Sequence, residues 1–109
     1  MKLISDLQKE DKVLLNYGDQ NGDLAEVSSF EKYLSMKDRS SFKPWTGIVK
    51  AKPRGKQPTV VFLEVTGWEK DLGDTYAHKI MAVWNGTDWE KIEHTPKQLE
   101  MREMEKAMF

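Results

Sequence analysis

Four cations recur at every second position in Lys50, Lys52, Arg54 and Lys56. Alternate residues of an extended chain share a face, so Lys50 and Lys52 project together at the end of a strand. The loop Pro53 to Pro58 adds Arg54 and Lys56 to the same neighbourhood. Such a cluster can meet phosphates, with Trp45 or Phe42 available to stack on bases. The competing role is a solvated sheet edge, where lysines block pairing with other strands. The formal net charge of −1 favours that second role. Proteins built to coat nucleic acid usually carry a basic excess.

The remaining chemistry is sparse. His78 and His94 are too far apart for a local metal motif and read as structural histidines. Asp19, Asn21 and Asp23 resemble the start of a calcium loop. Counted from Asp19, however, the required glycine falls on Leu24 and the bidentate glutamate on Phe30. A hairpin tip explains these residues better. Lys52-Pro53-Arg54-Gly55-Lys56 lacks the Lys-Ser/Thr ending of a phosphate loop. No Gly-x-Ser-x-Gly elbow is present. Glu64, Glu69, Asp71 and Asp74 suggest no acid–base pair. The chain has no cysteine, which excludes disulfides, thiolate catalysis and sulfur-ligated zinc. These observations predict a non-enzymatic protein with no catalytic residues, no metal site and no cofactor.

The elements that position these residues follow from periodicity and turn chemistry. Lys12 to Tyr17 is a short apolar strand closed by the turn cluster Gly18 to Asp23, and Leu24 to Val27 reads as its returning partner. From Ser28 onward, Val27, Phe30, Tyr33 and Leu34 fall at helical spacing, and Ser28 with Glu31 fits a capping box. A short helix over 29–36 is expected, in competition with a continued strand. Asp38 to Pro44 is a loop. Trp45 to Lys52 is a strand with Trp45, Gly47, Val49 and Ala51 on one face. Thr59 to Trp68 is the most apolar strand, with Val61, Leu63 and Val65 on one face and Val60 and Phe62 on the other. Apolar residues on both faces predict a central strand. Asp71 to Asp74 reads as a turn around Gly73, followed by a strand from Tyr76 to Trp84.

The last hairpin is the clearest local signal. Asn85-Gly86 between apolar runs marks a tight turn, because both residues tolerate positive φ. Parity puts Trp84 and Trp89 on one face and Met81, Val83 and Ile92 on the other. A four-residue loop would pair the tryptophans directly. Thr95 as N-cap, Pro96 at the first helical position and Gln98 as the return partner then start a helix. Met101, Met104 and Met108 form a narrow stripe on it. The expected role of that stripe is to cover the tryptophan face; the alternative is contact with a partner or a second copy.

At 109 residues, with 39% hydrophobic and 32% charged positions, the chain suits one domain with one core, residues 1–109. The expected fold is mainly β, a β-rich α+β arrangement. It is either a small barrel of SH3-like or Sm-like size or a strongly bent antiparallel sheet of about five or six strands, ending in the helix. No apolar run approaches the ~20 residues that span a bilayer, so no membrane role is expected. The absence of cysteine points to the cytoplasm. The function expected is a binding module for nucleic acid or a protein partner. For nucleic acid, Lys50, Lys52, Arg54, Lys56 and Trp45 would make the contacts. For a partner or homo-oligomer, Trp84, Trp89, Met101, Met104 and Met108 would. The alternative is a structural subunit that self-assembles.

Overall fold

The computed structural model describes residues 2–16, 30–36, 44–66 and 71–108. Seven strands form one mixed sheet. They are β1 (Lys2–Leu3), β2 (Lys12–Leu15), β3 (Thr46–Val49), β4 (Val60–Thr66), β5 (Asp71–Tyr76), β6 (Ile80–Trp84) and β7 (Trp89–Glu93). Helix α1 is Phe30–Met36 and α2 is Pro96–Met108; 3-10 turns occupy Ile4–Asp6 and Ala77–Lys79. The sheet order is β1-β7-β6-β2-β3-β4-β5, with β1 parallel to β7 and every other neighbour antiparallel. The fold is thus sheet-rich with a C-terminal helix, as expected. It is not a closed barrel: β1 and β5 are the two ends of the order, and they do not pair with each other.

The main core lies on one face. Val13, Leu15, Val49, Val61, Leu63, Ile80, Val83 and Ile92 pack there with Ile4 and Leu7 of the N-terminal turn. Val61 and Leu63 are fully buried as anticipated, and Val65 packs partly buried at the margin. Gly47 of β3 leaves little room for a side chain: a Cβ there would meet Leu63 Cδ1 at 3.2 Å and the Glu64 carbonyl at 3.3 Å. The opposite face holds a smaller cluster of Leu14, Tyr33, Met81 and Ala82, with Phe30 and Trp89 against it.

Several expectations need correction. The central two-sided strands are β2, where Val13, Leu14 and Leu15 are all buried, and β6. In β4 the second face is open, with Val60 and Phe62 exposed, because no described element lies over it. Asp71 to Asp74 is strand rather than turn. Asp71, Leu72, Gly73 and Asp74 pair with Val65, Glu64, Leu63 and Phe62, so ladder hydrogen bonds override local turn preference. The span Tyr76 to Trp84 is not one strand. It breaks at the 3-10 turn Ala77–Lys79, which takes His78 out of the sheet. The register slips between Leu14 and Leu15 opposite β6. That bulge turns Met81 onto the tryptophan face beside Ala82, while Val83 and Ile92 stay on the core face. Strand β1 was not expected at all.

Trp84 and Trp89 pair directly across a four-residue loop, as parity and aromatic contact require. Their rings meet edge to face at 5.3 Å. Gly86 has φ of 99°, and the Asn85 side-chain carbonyl accepts from the N–H groups of Thr87 and Asp88. The element over this face is α1, not α2. Phe30 and Tyr33 of α1 pack on Leu14, Met81 and Ala82 beside Trp89, and Glu31 pairs with Lys91. The helical reading of 29–36 therefore holds over Phe30–Met36, in place of the continued strand, and Ser29 lies outside the described residues. The turn Gly18 to Asp23, the strand Leu24 to Val27 and Phe42 lie outside the described residues.

Candidate functional site

The basic cluster is divided by the fold. Lys50 leaves β3 beside β4, where it pairs with Glu10 at 3.3 Å and Glu64 at 3.8 Å. The Lys52 ammonium donates to the carbonyls of Ser5 and Leu7 at 3.0 and 3.1 Å, which ties the N-terminal turn to the β3–β4 loop. Trp45 packs half-buried against the main core. Arg54 and Lys56 differ: they line an open groove of about 480 Å³ with Gly55, Val60 and Lys97. Gly55 has φ of 84°, a left-handed turn that reverses the loop at the groove. Among the described residues, no carboxylate lies within ion-pair distance of the Arg54, Lys56 or Lys97 side chains. Lys97 was missed from the sequence. Its signal was a cation in the first turn of a helix, where the dipole disfavours positive charge.

Helix α2 reaches this groove because Gln98 is buried beneath its start. Its Oε1 accepts from the Thr95 N–H at 2.9 Å, half of the expected capping box, and its Nε2 donates to the Pro58 carbonyl at 2.7 Å. The Thr95 hydroxyl, expected to complete the box, has no hydrogen-bond partner among the described residues. Further along, Glu105 takes the His78 Nε2 at 3.2 Å and the Lys79 ammonium at 3.0 Å. The helix thus docks on the 3-10 turn through polar contacts. Met101 is half-buried, while Met104 is 52% and Met108 70% exposed. The stripe covers neither the tryptophans nor the main core. Residues 97, 101, 104 and 108 share one flank by helical spacing, so the methionines continue from the lysine at the groove.

A second concavity lies between α1, the β6–β7 hairpin and α2. It measures about 260 Å³ and gathers His78 and His94 with Asn16 and Arg102. His94 donates from Nε2 to the Ile80 carbonyl at 2.8 Å. Burial holds the pKa of His94 below its ordinary value, against the Ile80 and Ala77 carbonyls that favour the charged ring. Burial also lowers His78, opposed by Glu105. Both shifts favour the neutral ring. Lys91 at the rim is held protonated by its hydrogen bond to Glu31, which raises its pKa. Among the described residues, no hydroxyl or thiol side chain lines the cavity beside the His78–Glu105 pair. Among the described residues, no three His, Cys, Asp or Glu side chains come together as a metal site. The sequence showed both histidines but not their convergence, which depends on a hairpin and a helix meeting.

No helix among the described residues is long and apolar enough to cross a membrane. Compared with known proteins, the chain matches no family model, no curated protein and no solved structure.

Proposed function

We propose that the protein is a non-enzymatic binding module of the cytoplasm that takes an acidic, apolar-anchored segment of a protein partner. The carrying observation is the set of cations Arg54, Lys56 and Lys97 around one groove, without carboxylate partners among the described residues. Uncompensated charge of one sign in a concave site draws the opposite charge. Apolar surface adjoins it: Val60 lines the groove, and Met104 and Met108 follow Lys97 along the same flank of α2. Methionine is flexible and polarisable, which suits it to irregular apolar side chains on a partner. This pairing of cations with apolar anchors favours a peptide over a phosphate backbone. Lys50 and Lys52, the other cations of the cluster, are engaged within the fold.

The test is selection of random sixteen-residue peptides displayed on phage against the full chain. Enriched peptides should place Asp or Glu beside Leu, Ile or Phe. The Arg54→Gln, Lys56→Gln, Lys97→Gln triple variant should retain them about a hundredfold less, near the loss of two charge-assisted hydrogen bonds. Enrichment without acidic residues, or equal retention by the variant, overturns the reading. So does tighter binding of single-stranded oligothymidylate at ~50 mM salt, which would assign the groove to nucleic acid. A stable homo-oligomer that buries the methionines would assign the surface to self-assembly.

A further inference from the structure

Strand β5 ends the order of the sheet, and among the described residues no segment pairs with its outer side. The edge at the other end is only Lys2–Leu3, whereas β5 runs six residues, Asp71–Tyr76, without proline or lysine. Shortness, proline and lysine are common guards against strand pairing, and this edge has none of them. The direction of its free hydrogen-bonding groups follows from the ladder with β4. The Ala77 N–H donates to the Thr59 carbonyl at 2.8 Å, in the register that places Thr75 opposite Val61 and Gly73 opposite Leu63. Antiparallel pairs alternate, so Thr75, Gly73 and Asp71 bond toward β4. The N–H groups of Leu72, Asp74 and Tyr76, with the carbonyls of Leu72 and Asp74, therefore point to the open edge.

The side chains of the same three residues are exposed on the outer face. Across the ladder, Tyr76 pairs with Val60 and Asp74 with Phe62, both exposed apolar residues. The Tyr76 ring stacks on His78 with centroids 5.5 Å apart, which holds it in place as an anchor. Asp74 is thus a carboxylate set among apolar side chains, and no cation among the described residues lies within ion-pair distance of it. That charge selects the occupant. A second copy of β5, paired antiparallel along the full edge, would set Leu72 opposite Tyr76 and Asp74 opposite its own counterpart. Like charges directly opposite one another destabilise such a pair. We propose that β5 takes an extended segment of a protein partner as an added strand, with apolar side chains beside Leu72 and Tyr76 and a lysine or arginine opposite Asp74. Main-chain hydrogen bonds to the edge supply affinity, and the alternate side chains supply specificity. Val60 borders both this edge and the basic groove, but the two surfaces draw opposite charges.

The test is an NMR titration of the full chain with the end-capped peptide Thr-Ile-Thr-Lys-Thr-Val-Thr and with the same peptide carrying Glu in place of Lys. The lysine peptide should give saturable shifts at the amides of Leu72, Asp74 and Tyr76 and slow their exchange with solvent. The glutamate peptide should bind about tenfold more weakly, because a like charge replaces an opposite one across the strands. Asp74→Lys should reverse that preference, which a merely destabilised variant would not do. The Arg54→Gln, Lys56→Gln, Lys97→Gln triple variant should bind the lysine peptide unchanged, so this site and the groove fail separately. Absence of saturable shifts on β5 at millimolar peptide overturns the proposal. So do shifts confined to Arg54 and Lys56. Slow exchange of the Leu72, Asp74 and Tyr76 amides in the free protein would show an edge already paired, and overturns it too. Equal binding of both peptides overturns the charge assignment. Shifts of those amides on dilution of the protein alone would give the edge to a second copy and overturn the partner assignment.

Discussion

The two faces of β4 differ sharply. Val61 and Leu63 are 1% and 0% exposed, whereas Val60 and Phe62, alternating with them, are 49% and 39% exposed. Strand propensity is alike on both sides. The difference arises across the sheet: one face meets the N-terminal turn and the inward residues of β2, β3 and β6, and the other meets no described element. The same division separates the two halves of the outer face. Under α1, Leu14 and Ala82 are buried, while three strands from β2 Leu72 of β5 is 56% exposed. Apolar composition therefore does not define the core here; cover does.

The largest test of that contrast is Leu63→Ala, which should cost about 2–5 kcal/mol by denaturant titration because it leaves a cavity in the main core. Phe62→Ala, on the same strand, should stay within about 0.5 kcal/mol, as surface changes do. Equal losses would mean that the outer face of β4 is covered in solution. Gly47→Val comes next. The added side chain would press on Leu63 and the Glu64 carbonyl, and overpacking of this kind costs about 1–3 kcal/mol. A neutral result would show that β3 and β4 separate more easily than their contacts suggest.

A smaller effect follows from pH. Burial depresses His94 and His78 below their ordinary pKa. The unfolded chain then binds protons more readily than the native one as pH falls through the unfolded value near 6.5. Their contribution to stability is thus complete above that pH and declines below it. The melting temperature should drop between pH 7.5 and 5.5, and less so in His94→Gln. An unchanged slope in that variant would place the titration elsewhere.

The smallest effect concerns α2. Met104→Ala and Met108→Ala should each change stability by less than about 0.5 kcal/mol, since both side chains are exposed. Deleting 96–109 should leave tryptophan emission unshifted, because α1 lies over the tryptophan face. A red shift would show that α2 also reaches that face.

Much of the local structure was legible in the residues themselves. The Asn85-Gly86 hairpin, the pairing of Trp84 with Trp89, the helical spacing from Phe30 and the start of α2 at Pro96 all rest on short-range rules of φ, parity and capping. The basic groove was half legible. Arg54 and Lys56 stood out by spacing, but Lys97 joins them only because Gln98 docks on Pro58, forty residues away in sequence.

Tertiary structure alone decided the rest. Which helix covers which face depends on where long connections return, and no local pattern encodes that. The Ala77–Lys79 break, the bulge that turns Met81 and the strand at Asp71 each arise where pairing with a distant segment outweighs local preference. The cavity beside His78 and His94 draws on residues from 16 to 102. Alternation along the chain determines which side chains travel together. Only the assembled sheet and helices determine whether solvent, protein or a ligand meets them.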